Sequence, residues 1–266
     1  MTINTLGKRL PSSLKKILKP IAPKLSLPRG GKPYELKHQY TVVSAVYNME
    51  LYLDDYFSCI FNQTCNTTNI RIILVDDGSV DRSPTIIEGW QKRYPNQITY
   101  LHQKNAGPGA ARNRGLDAVT TEWVTFIDSD DKIEPNYFEE VDKSISNHPS
   151  LIMATCRLYY WYMATNKLQK ESAIMQHFGK GENLYYAVGD EQMPPAFFMN
   201  ATFFKTDLIR ENHILIDKQL RPNFEDGKFI AYYLLSANSG TVGFLDRAHY
   251  LYRKRADQSS IIDNSW

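Results

Sequence analysis

Three carboxylates crowd the stretch Asp128-Ser129-Asp130-Asp131, directly after the apolar run Trp123–Ile127. Like charges this close raise one another's pKa unless a cation lies between them. Hard oxygen ligands suit Mg²⁺ or Mn²⁺, and Mg²⁺ commonly divides its coordination between one or two carboxylates and substrate phosphates. In an extended or tightly turned backbone, residues i and i+2 face the same way, so Asp128 and Asp130 can serve one ion. The plainer reading is a solvated acidic turn that caps the next helix. Asn223-Phe224-Glu225-Asp226-Gly227 offers a second chemistry. Carboxylates at a helix start are favoured by the dipole, but one of them could also remove a hydroxyl proton as a general base. Gly107-Pro108-Gly109, followed by Arg112 in the first turns of a helix, suits a phosphate. It is a poor dinucleotide fingerprint, since Arg112 replaces the third glycine and the motif follows the third strand.

Two further segments carry polar groups. Asp76-Asp77-Gly78-Ser79 ends an apolar run, and a carboxylate there can accept from a base N–H or a ribose hydroxyl. Capping is its plainer role, although Asp81 or Ser83 could cap instead. The run Tyr250 to Arg255, then Ser259-Ser260, supplies cations able to cover a diphosphate, or else a solvated strand edge. No Walker loop, HExxH or GxSxG pattern occurs, so the classes those motifs mark have no support.

The elements that must position these groups alternate from residue 40. Strands are predicted at Tyr40–Val46, Ile70–Val75, Ile98–Leu101 and Trp123–Ile127. Helices are predicted at Glu50–Gln63, Pro84–Tyr94, Pro108–Val119 and Pro135–Asn147. Strands alternating with helices of this length imply right-handed βαβ units and a parallel sheet. After Ser150 the rhythm changes. Leu151–Met163 is strand-like, Lys167–Ile174 can pair with it, Phe224–Leu235 reads as a helix, and Thr241–Tyr252 as two more short strands. The aromatic run Tyr159-Tyr160-Trp161-Tyr162 reads as core in preference to a stacking platform for an acceptor sugar. Ligands of open α/β sheets sit outside the carboxyl ends of the parallel strands. Each of the first four strands ends in polar groups: Tyr47-Asn48, Asp76 to Ser79, Asn105 to Asn113, and the carboxylate cluster. That convergence is harder to explain as four solvated loops than any one of them is.

The 266 residues allow one large α/β domain, and 42% hydrophobic with 23% charged residues is an ordinary globular balance. No apolar run approaches the ~18 residues of a membrane span, and no cleavable signal pattern is present. Cys59, Cys65 and Cys156 lack metal-type spacing, which points to a reducing compartment rather than a disulfide scaffold. The net charge of +2 hides an asymmetry: residues 1–38 hold nine Lys/Arg against one acid, leaving an acidic body. Leu10, Leu14, Ile17, Leu18 and Ile21 recur at helical spacing among lysines. Such a leader is either a short basic helix on an anionic membrane surface or a solubilising tail. A nucleic-acid partner is not expected, because no basic, aromatic-interleaved surface follows.

With these blocks in order, the chain resembles family 2 glycosyltransferases of the GT-A fold over about residues 40–260. The matching blocks are Val43 to Asn48, Val75 to Ser79, Asn105 to Asn113, Phe126 to Asp131, Phe224 to Asp226 and Tyr252-Arg253. The resemblance implies a Rossmann-like, mostly parallel sheet with helices on both faces. Residues 39–150 would be a nucleotide-binding half and 151–266 a smaller acceptor half, behind the leader at 1–38. It implies a metal-dependent, inverting transfer of a hexosyl or N-acetylhexosaminyl group from a nucleotide-sugar, UDP-linked by family frequency. The acceptor would be a glycan or polyol-phosphate of a bacterial cell-surface polysaccharide. Asp226 would be the catalytic base and Asp130 would hold Mn²⁺ or Mg²⁺. Ala45, Tyr47, Asn48, Asp77, Asn105, Arg112, Asp128, Ser129, Arg253 and Ser259 would line the nucleotide-sugar site. The family usually has proline where this chain has Ala45, which loosens the first nucleotide contact. The leader and the basic run near residue 253 resemble bacterial capsule and teichoic-acid-type polymerases, so this domain is expected to be part of a longer chain. It is expected in the cytoplasm, peripheral on the inner face of the plasma membrane. Two other classes remain open: a metal-dependent nucleotidyltransferase, and a nucleotide-sugar-binding module without catalysis.

Overall fold

The computed structural model describes residues 32–163, 165, 167–170, 178, 181–195, 198–220 and 224–254. The leader helix expected near residues 10–21, together with Asn223, Arg255 and Ser259, lies outside the described residues. The fold is carried by the unit that starts at Pro33.

The elements in chain order are β1 (Tyr34–Glu35), β2 (Tyr40–Val46), α1 (Leu53–Phe61), β3 (Cys65–Asn66), β4 (Ile70–Asp76), α2 (Ser83–Arg93) and β5 (Ile98–His102). Next come α3 (Pro108–Asp117), β6 (Trp123–Phe126), β7 (Lys132–Ile133), α4 (Tyr137–Asn147), β8 (Leu151–Tyr162) and β9 (Lys167–Lys170). The rest are β10 (Leu184–Ala187), β11 (Thr202–Lys205), α5 (Thr206–Glu211), α6 (Glu225–Ser236) and β12 (Thr241–Lys254). Strands β2 and β4 are β-branched and apolar because both faces of a parallel sheet are covered. Helix α1 turns Leu53, Tyr56, Phe57 and Ile60 onto one buried face, the 3–4 spacing of an amphipathic helix.

The main sheet runs β10-β12-β8-β11-β6-β2-β4-β5. Strands β6, β2, β4 and β5 are mutually parallel. The chain builds outward from β2 to β4 and β5, then returns through α3 to lay β6 on the other flank of β2. Strand order therefore reverses between β2 and β6, which opens a crevice at their carboxyl ends. Beyond β6 the sheet is mixed. Strand β11 enters antiparallel between β6 and β8, while β12 runs parallel to β8.

Helix α3 can approach β2 because residue 115 is glycine; a Cβ there would collide with Val43 Cγ1. Two hydroxyls lock the crevice floor. Ser44 Oγ donates to the Ile127 carbonyl at 2.5 Å, and Ser129 Oγ donates to the Ala45 carbonyl at 2.9 Å. Below them Tyr40, Phe138 and Phe203 form an edge-to-face triad with centroids 5.7 Å apart. Such pairs contribute roughly 0.5–1.5 kcal/mol beyond burial. The buried Asp142 accepts from Tyr34 Oη, Tyr40 Oη and the amides of Lys37 and His38. Those bonds join residues 34–38 to the body, so the leader boundary expected at residue 38 falls inside packed structure.

Three expectations change. Thr241–Tyr252 is not two short strands but part of one 14-residue strand, β12. Its polar Asp246-Arg247 pair reads as a turn, yet it is accommodated by a register shift between Leu245 and His249. Asp246 is held there by the buried Arg157. The run from Tyr159 to Tyr162 is not core: three of its rings are half-buried and Tyr162 is exposed. Lys132 lies 5.1 Å from the Trp161 ring centroid, Arg253 4.6 Å from the same ring, and Lys254 4.4 Å from that of Tyr160. Strand β11 was missed because four residues between a tight turn and a helix show no alternation long enough to register.

Candidate active site

At the β2 end, Asn48 takes a left-handed backbone (φ 55°) that asparagine tolerates better than most residues. Its N–H donates to Ser79 Oγ and its Oδ1 accepts from the Val80 N–H, at 3.0 and 2.9 Å. Asn48 therefore joins the β2 and β4 ends, leaving the neighbouring Tyr47 exposed at the lip. At the β4 end, Asp77 is buried. Its Oδ1 accepts from Gln103 Nε2 and the Ala106 N–H, and its Oδ2 from the Gly107 N–H, each at 2.8 Å. Three charge-assisted bonds make Asp77 the clamp of the loop before α3. Gly78 (φ 81°) turns beneath that loop, where a Cβ would crowd the Asn105 amide at 3.1 Å. Asn105 itself is exposed.

Gly107 at φ 90° and Pro108 start α3, the fixed φ of proline suiting a first turn. One turn on, Arg112 points across the crevice and pairs with Asp128 Oδ1 at 2.6 Å. Burial opposes charge on this guanidinium, but Asp128, Asp226 and Glu225 raise its pKa above the ordinary value. The Asp128 N–H donates to Tyr250 Oη at 3.1 Å, and Asp128 Oδ2 accepts from Asn200 Nδ2 at 3.4 Å.

The carboxylate cluster divides by role. Asp131 is buried and takes Tyr250 Oη and the Arg253 N–H, each at 2.7 Å. Burial, then the charges of Asp130 and Asp128, push its pKa well up. Ser129, expected at the donor, donates through Oγ to the Ala45 carbonyl at the end of β2. Asp130 is buried in the same turn, and its carbonyl accepts from Arg253 Nε. Arg253 is wedged between the rings of Trp161 and Tyr52 and reaches Asp55 Oδ2 at 3.3 Å. Among the described residues, no three His, Cys, Asp or Glu side chains form a metal-holding group by themselves.

Asp226 stands in the first turn of α6 and accepts from the Met199 N–H at 3.2 Å. Burial pushes its pKa up from 3.8 to about 6; Arg112 opposes the rise, while Asp128 and Glu225 add to it. Arg112, Asp128 and Asp226 thus lie together at the crevice. Tyr250 and Asn200 were not anticipated. Both become neighbours of Asp128 only through the late strands.

The sequence profile described as "Glycosyl transferase family 2" matches residues 41–208. The chain belongs to that family. The minor teichoic acid biosynthesis protein GgaA of Bacillus subtilis is 31% identical over 230 residues, 85% of this chain and 50% of GgaA. The poly(ribitol-phosphate) beta-N-acetylglucosaminyltransferase TarS of Staphylococcus aureus is 24% identical over 82% of this chain and 36% of TarS. The crystal structure of S. aureus TarS 1-349 with UDP-GlcNAc superposes with a TM-score of 0.70 at 22% identity, covering 85% of this chain and 61% of that one. GalNAc-T7, crystallised with UDP, GalNAc and Mn²⁺, has the same fold at a TM-score of 0.64, with 14% identity, covering 83% of this chain and 44% of that one. The chain spans half or less of the length of GgaA and TarS. Among the described residues, no helix is long and apolar enough to cross a membrane.

Proposed function

We propose that this chain transfers a hexosyl or N-acetylhexosaminyl group, with inversion, from a UDP-sugar to a hydroxyl of a glycan or polyol-phosphate polymer of the cell surface. The observation that carries this reading is Asp226: a carboxylate with a pKa near 6, facing the Arg112–Asp128 pair at the strand-order reversal. A base of that pKa is ionised at neutral pH, yet more basic than an ordinary aspartate. Asp226 takes the acceptor hydroxyl proton. The acceptor oxygen forms its bond to the sugar C1 as the bond from C1 to the diphosphate oxygen breaks, and the diphosphate leaves with the electron pair. Charge development at C1 is oxocarbenium-like, as in other glycosyl chemistry. Arg112 holds Asp128 in one orientation toward the donor, and Asp77 keeps the loop before α3 in place. The donor set at the β6 end fits a divalent ion held by Asp130 and shared with phosphates, the usual habit of Mg²⁺. Bound there, Mn²⁺ or Mg²⁺ would supply positive charge against the leaving diphosphate.

The kinship with teichoic-acid proteins supports the polymer acceptor, and the basic leader supports work at the inner membrane face. The test is incubation with Mn²⁺, a panel of nucleotide-sugars and ribitol- or glycerol-phosphate oligomers, measuring free nucleoside diphosphate. Pyrophosphate release instead would make it a nucleotidyltransferase. Donor binding with no turnover on any acceptor would leave a binding module.

A further inference from the structure

The carboxylate turn closes on itself, with the Asp131 N–H donating to the Asp128 carbonyl at 2.9 Å. Further ties reach it from β12. Tyr250 Oη accepts from the Asp128 N–H at 3.1 Å and donates to Asp131 Oδ2 at 2.7 Å, so one hydroxyl spans both ends of the turn. The Arg253 N–H reaches Asp131 Oδ1 at 2.7 Å, and Arg253 Nε donates to the Asp130 carbonyl. Tyr250 is itself fixed in the sheet, level with Leu158 of β8 and Ile133 of β7. Its side chain is fully buried, so it acts through the turn and touches no ligand. Tyr40 makes the same kind of bond elsewhere: its Oη donates to the buried Asp142 at 2.8 Å. Tyr40 opens β2, at the end away from the crevice, and its bond ties no crevice residue.

We propose that Tyr250 is a positioning residue for the divalent ion. Its hydroxyl fixes Asp128 and Asp131 relative to each other, and so sets how Asp130, between them, presents its carboxylate to an ion shared with the donor diphosphate. The inference rests on the glycosyltransferase reading with its ion at Asp130, and adds what sets the affinity for that ion. Mg²⁺ demands near-ideal octahedral geometry at about 2.0–2.1 Å, so a small shift of the turn weakens coordination. Groups that orient metal ligands typically contribute about 10–100-fold in metal affinity.

The test is calorimetric titration of the full chain with UDP, first in Mn²⁺ and then in excess chelator, for wild type, Tyr250→Phe and Tyr40→Phe, beside a thermal melt of each free protein. Tyr250→Phe removes the acceptor of the Asp128 N–H and the donor to Asp131 Oδ2, and leaves the ring. It should lose about tenfold in UDP affinity in Mn²⁺ and stay within about twofold of wild type in chelator. The Mn²⁺ concentration that half-saturates the UDP response should rise by a similar factor. Tyr40→Phe loses an equivalent buried hydrogen bond, so both variants should melt below wild type. Tyr40→Phe should nonetheless keep wild-type UDP affinity in both conditions, which separates positioning of the ion from general loosening. An unchanged Mn²⁺ requirement in Tyr250→Phe, or an equal loss with and without the ion, would overturn the proposal. The same Mn²⁺-specific loss in Tyr40→Phe would overturn it too. If Tyr250→Phe does not fold, Tyr250→Met, which also lacks the hydroxyl, decides on the same criteria. Wild type that binds UDP equally in Mn²⁺ and chelator would remove the ion from the functional reading, and wild type that binds no UDP would remove the reading itself. Either result takes this inference with it, whereas failure of the inference alone leaves the ion dependence of wild type intact.

Discussion

Asp226→Asn separates catalysis from stability, because one physical feature acts oppositely on the two. The folded protein holds this carboxyl at a pKa of about 6 against an ordinary 3.8, so the folded state favours the protonated form. A raised folded pKa contributes stability that is fully present below about pH 3.8 and is lost as pH rises through about 6. Above pH 6 the ionised carboxylate is retained at a cost. Two pKa units correspond to about 3 kcal/mol at most. Part of the Asp226 surface is open to solvent, which reduces the expectation to about 1–2 kcal/mol. Asparagine keeps the shape and carries no charge to bury. At pH 8, without donor, Asp226→Asn should therefore melt roughly 2–8 °C above wild type, using ~2–4 °C per kcal/mol for a domain of this size. The difference should vanish well below pH 3.8, where the carboxyl is neutral in the folded and unfolded states alike. The groups that set this balance are Arg112, Asp128, Glu225 and the Met199 N–H. Transfer should fall ~10²–10⁴-fold in the same variant, the usual contribution of a general base. Wild-type transfer should itself decline as pH drops below about 6. Calorimetry at the two pH values and a nucleoside-diphosphate release assay read both effects. A variant less stable than wild type at pH 8, or one transferring at near wild-type rate, would refute the reasoning.

Arg112→Lys keeps a positive charge but not the planar fork that meets Asp128; it should weaken UDP-sugar affinity at least about tenfold, as read by calorimetry. Asp77→Asn replaces an acceptor at Oδ2 with a donor facing the Gly107 N–H. It should lower stability by about 1–3 kcal/mol, seen as a reduced melting temperature. Removing residues 1–32, rather than 1–38, should abolish co-sedimentation with anionic vesicles while leaving donor binding intact. Each basic residue at such a surface contributes on the order of 1 kcal/mol, so binding that survives the deletion would leave the leader without a membrane role.

The sequence by itself determined the β2–α1–β4–α2–β5–α3–β6–α4 alternation. β-branched runs buried on both faces and 3–4 helical spacing are local patterns, and each depends only on neighbours in the chain. The polar strand ends were legible for the same reason, since a parallel sheet must deliver them to one edge. Roles at those ends were not legible. Asp77 takes loop amides and Ser129 the Ala45 carbonyl, partners that no local pattern marks. Which donor arrives depends on how α3 and β6 fold back across β2, a contact between residues far apart in sequence. The antiparallel entry of β11 was likewise a tertiary decision. Its four residues are stabilised by β6 on one side and β8 on the other, not by their own pattern. That entry carries Asn200 to Asp128 and the Met199 N–H to Asp226. The late strand β12 similarly carries Tyr250 to Asp131. A single polar residue in a short turn has no periodicity to announce it, so only the assembled sheet could bring these groups to the carboxylates they serve.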